Sequence, residues 1–162
     1  TALGRTYPGG MERFVEAMNN KARDLGMDHS HFAGPSGLRA ENVATARDLS
    51  LLIAAADDYP LITQATTTRQ LAVRPFANRG PLTFGNTNRL LQNASWDIEL
   101  SKTGYLHAAG RCLVMQAKIM GRDVSIVLLN AYGNPVKHYG DLDLTMQRNR
   151  LSQEGAIDQL MA

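Results

Sequence analysis

The sequence predicts an α/β protein of the α+β kind, in which an antiparallel sheet is flanked by helices. Between Met11 and Leu25 apolar residues recur at three- and four-residue spacing, which is the pattern of one face of a helix. From Trp96 to Ala131 apolar residues instead alternate with polar ones or form short runs, and glycine-containing turns separate these runs. Short connections favour strands that pair antiparallel.

The first region, about residues 8–95, is predicted to contain helices and loops. Its first helix carries the stripe from Met11 to Leu25, and Gly26 suits its end. A long ordered loop follows over residues 28–42. A second helix begins where Thr45 can cap it and continues to Tyr59-Pro60, because the residue before a proline disfavours helix. The threonine-rich run from Thr66 to Val73 is expected to be extended.

The second region, about residues 96–131, is predicted to form three antiparallel strands. The first ends near Lys102-Thr103-Gly104, and the second covers Leu113 to Met120. The third, Val124 to Ala131, is mostly apolar and is expected to be well buried. A terminal helix is expected at about residues 139–160.

Composition excludes several classes of function. The chain has 162 residues, 44% of them hydrophobic, which fits one globular domain. A net charge of +2, with basic and acidic residues intermixed, gives no footprint for nucleic acid. No run approaches the roughly 20 apolar residues of a membrane span.

The single Cys112 allows no internal disulfide, and its apolar neighbours predict a buried thiol. No Cys/His cluster has metal-ligand spacing, so neither a metal nor a cofactor is expected.

Lys102-Thr103-Gly104 is the sharpest chemical feature of the chain. A lysine ammonium can hold a substrate carboxylate, and a neighbouring hydroxyl can hydrogen-bond the same group. Gly104 has no Cβ, which lets a substrate backbone approach closely. The triplet alone also fits an exposed lysine followed by a turn glycine, so its meaning depends on the residues around it.

Those residues resemble, in the same order along the chain, the low-molecular-mass penicillin-binding D-alanyl-D-alanine endopeptidases and carboxypeptidases. The resemblance covers about residues 1–150. The blocks that carry it are Phe14-Val15, Met18-Asn19, Lys21-Ala22, Leu25-Gly26-Met27, His31-Phe32, Pro35-Ser36-Gly37-Leu38, Thr45-Ala46-Arg47-Asp48-Leu49, Asn86-Thr87-Asn88-Arg89-Leu90-Leu91, Trp96 to Leu100, Lys102-Thr103-Gly104-Tyr105 and Ala109-Gly110-Arg111-Cys112-Leu113.

The resemblance implies part of the penicillin-binding-protein/β-lactamase-like transpeptidase fold and a periplasmic peptidase. Members of this family cleave peptidoglycan stem peptides or cross-links through an acyl-serine intermediate, without a cofactor. By position, Lys102 steers the substrate carboxylate or tunes the proton network, and Thr103 bonds that carboxylate. The backbone N–H of Tyr105 supplies one oxyanion-hole donor, and Gly104 lies against the substrate.

Two departures from the family pattern matter. No serine of this chain begins a Ser-x-x-Lys or a Ser-x-Asn motif, and Leu106 stands where related enzymes often have threonine. The family's Ser-x-Asn falls just before Thr1, so we expect the carboxyl-terminal part of one D,D-peptidase domain, produced by design or by proteolysis. β-Lactams are then bound only together with the missing amino-terminal part.

Two other hypotheses remain open at this stage. One is a non-catalytic peptidoglycan-binding module that keeps the Lys-Thr-Gly strand, and the other is a generic scaffold with a coincidental triplet.

We also expect the chain to self-associate, because the strand Val124 to Ala131 would lose a neighbour and become an open edge. The remaining polar candidates are expected to be structural: His29 and His31 in a loop, Asp57-Asp58 at a helix end, Asn86 and Asn88 bonding backbone in a turn, and His107 in an exposed turn.

Overall fold

The computed structural model describes residues 2–131, which form helices, a two-stranded sheet and a three-stranded sheet. The helices are α1 (Ala2–Thr6), α2 (Gly10–Asp24), α3 (Ala46–Asp57) and α4 (Pro60–Thr67), with a 3₁₀ helix at Arg89–Gln92. The strands are β1 (Gln70–Val73), β2 (Leu82–Gly85), β3 (Asp97–Leu106), β4 (Gly110–Ile119) and β5 (Arg122–Ala131). The combination of helices with antiparallel sheets confirms the predicted fold class.

The two helices predicted within residues 2–131 are confirmed, with one change at Pro60. Helix α2 covers the predicted apolar stripe, and Thr45 caps α3 by accepting a hydrogen bond from the backbone N–H of Asp48 at 3.1 Å. Helix α3 ends at Asp57, but Pro60 then begins α4 instead of only closing a helix. Proline suits a first helical turn because the N–H that it lacks would have no partner there.

The loop between α2 and α3 is held by the carboxylate of Asp48. This side chain accepts hydrogen bonds from the backbone N–H of His29 at 2.9 Å and from Ser30 Oγ at 2.7 Å. Burial by itself would raise the pKa of Asp48, but the hydrogen bonds from Ser30, Thr45 and His29 outweigh it, and the pKa lies below its ordinary value. The ionised Asp48 therefore fixes the loop to the start of α3.

The three-stranded sheet runs in the order β3-β4-β5, and each neighbouring pair is antiparallel. Its core lies on the face that carries Leu113, Met115 and Ala117 of β4, which are almost completely inaccessible to solvent. Leu90 of the 3₁₀ helix and Ile126 of β5 complete this cluster. Helix α3 contacts β4 and β5, and helix α4 contacts β3. The three-stranded sheet, α3, α4 and the 3₁₀ helix are thus packed into one unit.

Several boundaries differ from the prediction. Strand β1 begins at Gln70, since the last turn of α4 occupies Thr66 and Thr67, and β2 pairs with β1 inside the region predicted to hold only helices and loops with one extended run. The Lys-Thr-Gly triplet lies inside β3, which continues to Leu106. The predicted helix at about residues 139–160 lies outside the described residues.

Two burial predictions are wrong. Only Ile126 of β5 is fully buried, because β5 has a hydrogen-bonded neighbour on one side alone within residues 2–131. Cys112 is partly exposed rather than buried. It lies opposite Gly104 on the neighbouring strand, and a glycine has no side chain to cover the thiol.

Candidate functional site

Strand β3 forms one edge of the three-stranded sheet, which leaves half of its backbone groups free of β4. The backbone N–H of Ser101 is one of these free groups. It points away from β4 and approaches the hydroxyl of Thr66 in α4, with an N···O distance of 3.4 Å. Along an antiparallel strand the direction of N–H groups alternates. The pairing is unbroken from Leu100 to Leu106, so the N–H groups of Thr103 and Tyr105 face the same open edge.

A cleft of about 240 Å³ lies along this edge. It lies between the carboxyl end of α4, the end of β2 with the loop after it, and the middle of β3. The residues that line it are Ala65, Thr66, Gly85, Asn86, Thr87, Ser101, Lys102 and Thr103. Lys102 and Thr103 project from opposite faces of the strand, and both border the cleft because β3 is an edge strand.

Asn86 holds the wall of the cleft opposite β3. Its side-chain amide donates to the carbonyl oxygens of Thr66 at 2.9 Å and Thr68 at 3.2 Å, and its backbone N–H donates to Arg69 O at 2.8 Å. Its side-chain oxygen accepts from the N–H of Asn88 at 2.9 Å. Asn86 thus joins the end of α4 to the loop after β2, as expected of a turn-forming asparagine.

The loop after β2 is fixed to β3 by two side-chain hydrogen bonds. The hydroxyls of Thr87 and Thr103 are bonded to each other at the mouth of the cleft. Below them Asn88, which is completely buried, donates from Nδ2 to Ser101 Oγ at 2.8 Å and accepts from the N–H of Leu90 at 3.1 Å. The predicted structural role of Asn86 and Asn88 is confirmed.

The predicted site residues occupy different positions in this geometry. Lys102 is exposed, and its ammonium donates to the carbonyl oxygen of Thr103 at the rim of the cleft. Gly104 leaves the strand surface beside it bare, with only Cys112 Cβ within 4.0 Å of where a Cβ would stand. Tyr105 directs its ring outward, where the guanidinium of Arg111 lies 5.1 Å from the ring centre. The part of Tyr105 that faces the open edge is therefore its backbone.

Sequence reasoning found Lys102 and Thr103 but missed the opposite wall of the cleft. Thr66 and Gly85 line it although no motif marks them, and Thr87, which lies in the block from Asn86 to Leu91, was not singled out as a site residue. The available signal was the threonine-rich run beside the Asn-Thr-Asn turn, which places several hydroxyls in one stretch of chain. His107 lies in an exposed turn, as predicted, and its Nδ1 is 3.5 Å from the hydroxyl of Tyr105.

No metal site accompanies the cleft. Among residues 2–131 no three His, Cys, Asp or Glu side chains are grouped so that they could hold a metal ion. In the same part of the chain, no helix has the length and apolarity needed to cross a membrane.

Solved structures that are similar to this chain include D,D-peptidases and penicillin-binding proteins. A mutant of the Streptomyces K15 DD-transpeptidase matches 90% of this chain and 60% of its own with a TM-score of 0.77 and 26% identity. Penicillin-binding protein D2 from Listeria monocytogenes, in its cefotaxime-bound form, matches 85% of this chain and 55% of its own with a TM-score of 0.70 and 27% identity. The fold and the Lys-Thr-Gly cleft thus define a protein of the penicillin-binding class.

The D-alanyl-D-alanine carboxypeptidase family model matches residues 1–133. The D-alanyl-D-alanine endopeptidase of Escherichia coli (strain K12) is 45% identical over 141 residues, which are 86% of this chain and 45% of that protein. The endopeptidase of Pseudomonas aeruginosa is 44% identical over 140 residues, with the same shares. This chain therefore belongs to the D-alanyl-D-alanine carboxypeptidase family, and it spans less than half the length of these two relatives.

Proposed function

We propose that the chain is the carboxyl-terminal part of a serine-type D-alanyl-D-alanine peptidase that acts on peptidoglycan stem peptides or cross-links in the periplasm. The observation that carries the proposal is the arrangement at the open edge of β3. Lys102 and Thr103 border the same cleft, and the N–H of Tyr105 faces the same edge. Cation, hydroxyl and backbone donor are thus available along one strand.

Each group has a role in this proposal. The ammonium of Lys102 attracts the carboxylate of a stem peptide or tunes the proton network, and the hydroxyl of Thr103 exchanges its bond with Thr87 for one to that carboxylate. The N–H of Tyr105 stabilises the negative charge that develops on the carbonyl oxygen during acyl transfer. Gly104 allows the substrate backbone to lie close to the strand.

The nucleophile is the part of the reaction that these 162 residues do not supply. No serine here begins a Ser-x-x-Lys, and acylation requires a hydroxyl activated by a neighbouring base. We propose that this serine belongs to a part of the protein outside the present sequence. β-Lactams, which acylate the same serine, then react only when both parts are present.

Labelled penicillin tests the proposal. The complete protein that contains these residues should give a labelled band on denaturing electrophoresis, and the 162-residue chain alone should give none. A stable labelled band from the chain alone would contradict our account of the nucleophile. If the complete protein binds peptidoglycan yet never acquires the label, the non-catalytic binding module becomes the better interpretation.

A further inference from the structure

The hairpin formed by β1 and β2 is exposed along its whole length. Every residue from 68 to 85 is exposed to solvent. Among the described helices and strands, β1 and β2 pack substantially only against each other. A two-stranded hairpin is marginally stable in water on its own, and this one is fixed to the protein only at its base. Within residues 2–131 no other helix or strand covers its surface.

One face of the hairpin is apolar. Leu71 is paired with Phe84, and Val73 is paired with Leu82. Paired residues, and residues two apart on one strand, lie on the same face of a hairpin, so these four side chains form one surface. Leu71 is 55% exposed and Phe84 is 58% exposed, and Phe76 in the tip is 52% exposed. A contiguous apolar surface of this kind on a soluble protein marks an interaction site.

The charge on the same hairpin has one sign. From residue 59 to residue 96 the chain contains no aspartate or glutamate, and it contains four arginines. Three of them, Arg69, Arg74 and Arg79, lie at the base and the tip of the hairpin. The guanidinium of Arg79 lies 5.3 Å from the ring centre of Phe76. None of the salt bridges within residues 2–131 involves these three arginines. The hairpin therefore offers its positive charge to an anionic partner.

Three kinds of anionic partner fit this surface to different degrees. A wall polymer with acidic peptides would neutralise the arginines but leave the apolar face in water. A protein interface contains about one hydrogen bond per 100–200 Å², and here only the arginines and the strand edges, not the apolar face, could supply them. A bilayer with anionic headgroups uses both properties, since it takes apolar side chains at its boundary and attracts cations to its phosphates.

We propose that the β1–β2 hairpin binds the surface of an anionic lipid bilayer. Phe76 and the apolar face formed by Leu71, Val73, Leu82 and Phe84 enter the boundary between headgroups and acyl chains, and the arginines lie at the lipid phosphates. Gly85, at the base of the hairpin, lines the cleft.

Flotation of the complete protein with vesicles tests the charge part of the proposal. The protein should bind vesicles of phosphatidylcholine with phosphatidylglycerol more strongly than vesicles of phosphatidylcholine alone, and salt should weaken this binding. Arg74→Ser with Arg79→Ser should reduce partitioning about 25-fold, because each basic residue near an anionic surface contributes about fivefold. Arg5→Ser with Arg47→Ser removes the same charge from exposed positions elsewhere and should have a much smaller effect.

A fluorophore at the tip tests the orientation. In a Cys112→Ser background, Ala77→Cys places an environment-sensitive label between Phe76 and Arg79, and Glu12→Cys places it on α2 as the control. The label at position 77 should shift to the blue with anionic vesicles, whereas the label at position 12 should not.

Three results would overturn the proposal: equal binding to both kinds of vesicle, equal losses in the two arginine pairs, or no shift at position 77. Binding to purified peptidoglycan without binding to vesicles would also overturn it, and would assign the hairpin to the wall polymer instead. Penicillin labelling is read separately, so a failure here leaves the proposed peptidase activity untouched.

Discussion

Asn88 Nδ2 donates a hydrogen bond of 2.8 Å to Ser101 Oγ inside the protein, one residue before the Lys-Thr-Gly triplet. The same amide group lies 3.6 Å from the sulfur of Met115 in the sheet core, and the amide oxygen accepts from the N–H of Leu90. One buried side chain therefore joins the loop after β2, the 3₁₀ helix and the two strands β3 and β4. The position of Lys102 and Thr103 relative to the opposite wall of the cleft depends on it.

Asn88→Ala should lower the free energy of unfolding by about 2–3 kcal/mol, because it leaves the buried Ser101 hydroxyl and the Leu90 N–H without partners. Urea unfolding followed by circular dichroism measures the change. Asn93→Ala is the matched control, since Asn93 is exposed and bonds only locally to Ser95. Similar losses in the two variants would mean that the buried network contributes no more than an exposed turn.

Asp48→Asn should change how stability depends on acidity. The pKa of Asp48 is lowered in the folded protein, so the stability that its ionised form contributes is present above the unfolded-state pKa of about 3.9 and is lost as pH falls through the folded value. The parent should therefore lose stability more steeply than the variant below about pH 5, while being the more stable protein at pH 7. Unfolding curves at several pH values measure this, with the exposed Asp58→Asn as control. Parallel pH profiles for parent and Asp48→Asn would contradict the prediction.

Lys102→Ala in the complete protein should slow acylation by a β-lactam about ten- to hundredfold. A charge-assisted hydrogen bond to a carboxylate contributes about 1.5–3 kcal/mol, and this difference appears in the rate when the bond forms mainly in the transition state. Folding should be unchanged because Lys102 is exposed. Stopped-flow acylation and thermal melting measure the two effects. Lys21→Ala, at an exposed position on α2, is the control, and parental kinetics in Lys102→Ala would remove Lys102 from the site.

The isolated chain should self-associate through β5. This strand is an edge of the three-stranded sheet, and its free backbone groups can pair with another chain. Leu129→Lys should weaken the association measured by light scattering, because Leu129 is 41% exposed and a charge there opposes strand pairing. Ile126 is a poor probe, since it is buried in the core and a lysine there would damage the fold itself.

Met120→Lys is the control for this prediction. It also places a lysine at an exposed apolar position, in the turn between β4 and β5 rather than on the edge. A monomeric parent chain, or equal effects of the two lysines, would show that the edge does not drive association.

Local pattern was sufficient to predict much of this structure. The apolar stripe of α2, the Thr45 cap and the three strands between residues 96 and 131 follow from residue spacing alone. Where β3 ends did not follow, because Gly104 resembles a turn residue in sequence and only its pairing with Cys112 keeps it in the strand. Burial on β5 was overestimated because an apolar run does not tell whether both sides of a strand are covered.

The candidate site also contains residues that the sequence predicted and residues that it did not. Lys102 and Thr103 were predictable because they are adjacent in a recognisable triplet. Thr66 lies 36 residues before Lys102, and Thr87 lies 16 residues before Thr103. They meet in one cleft because Asn86 folds the chain back onto the end of α4. Contacts between distant segments of this kind are set by tertiary packing, which no local pattern encodes.

The exposed hairpin also sets where this protein is first cut by a protease. An extended, accessible segment is the form of backbone that proteases bind, and residues 68–85 have no protection from the rest of the described chain. Trypsin should cleave after Arg79, in the tip, in preference to Arg74, which proline follows. The two pieces, residues 1–79 and 80–162, would separate on a denaturing gel, yet they would stay together in native buffer because α3 and α4 remain packed on the sheet.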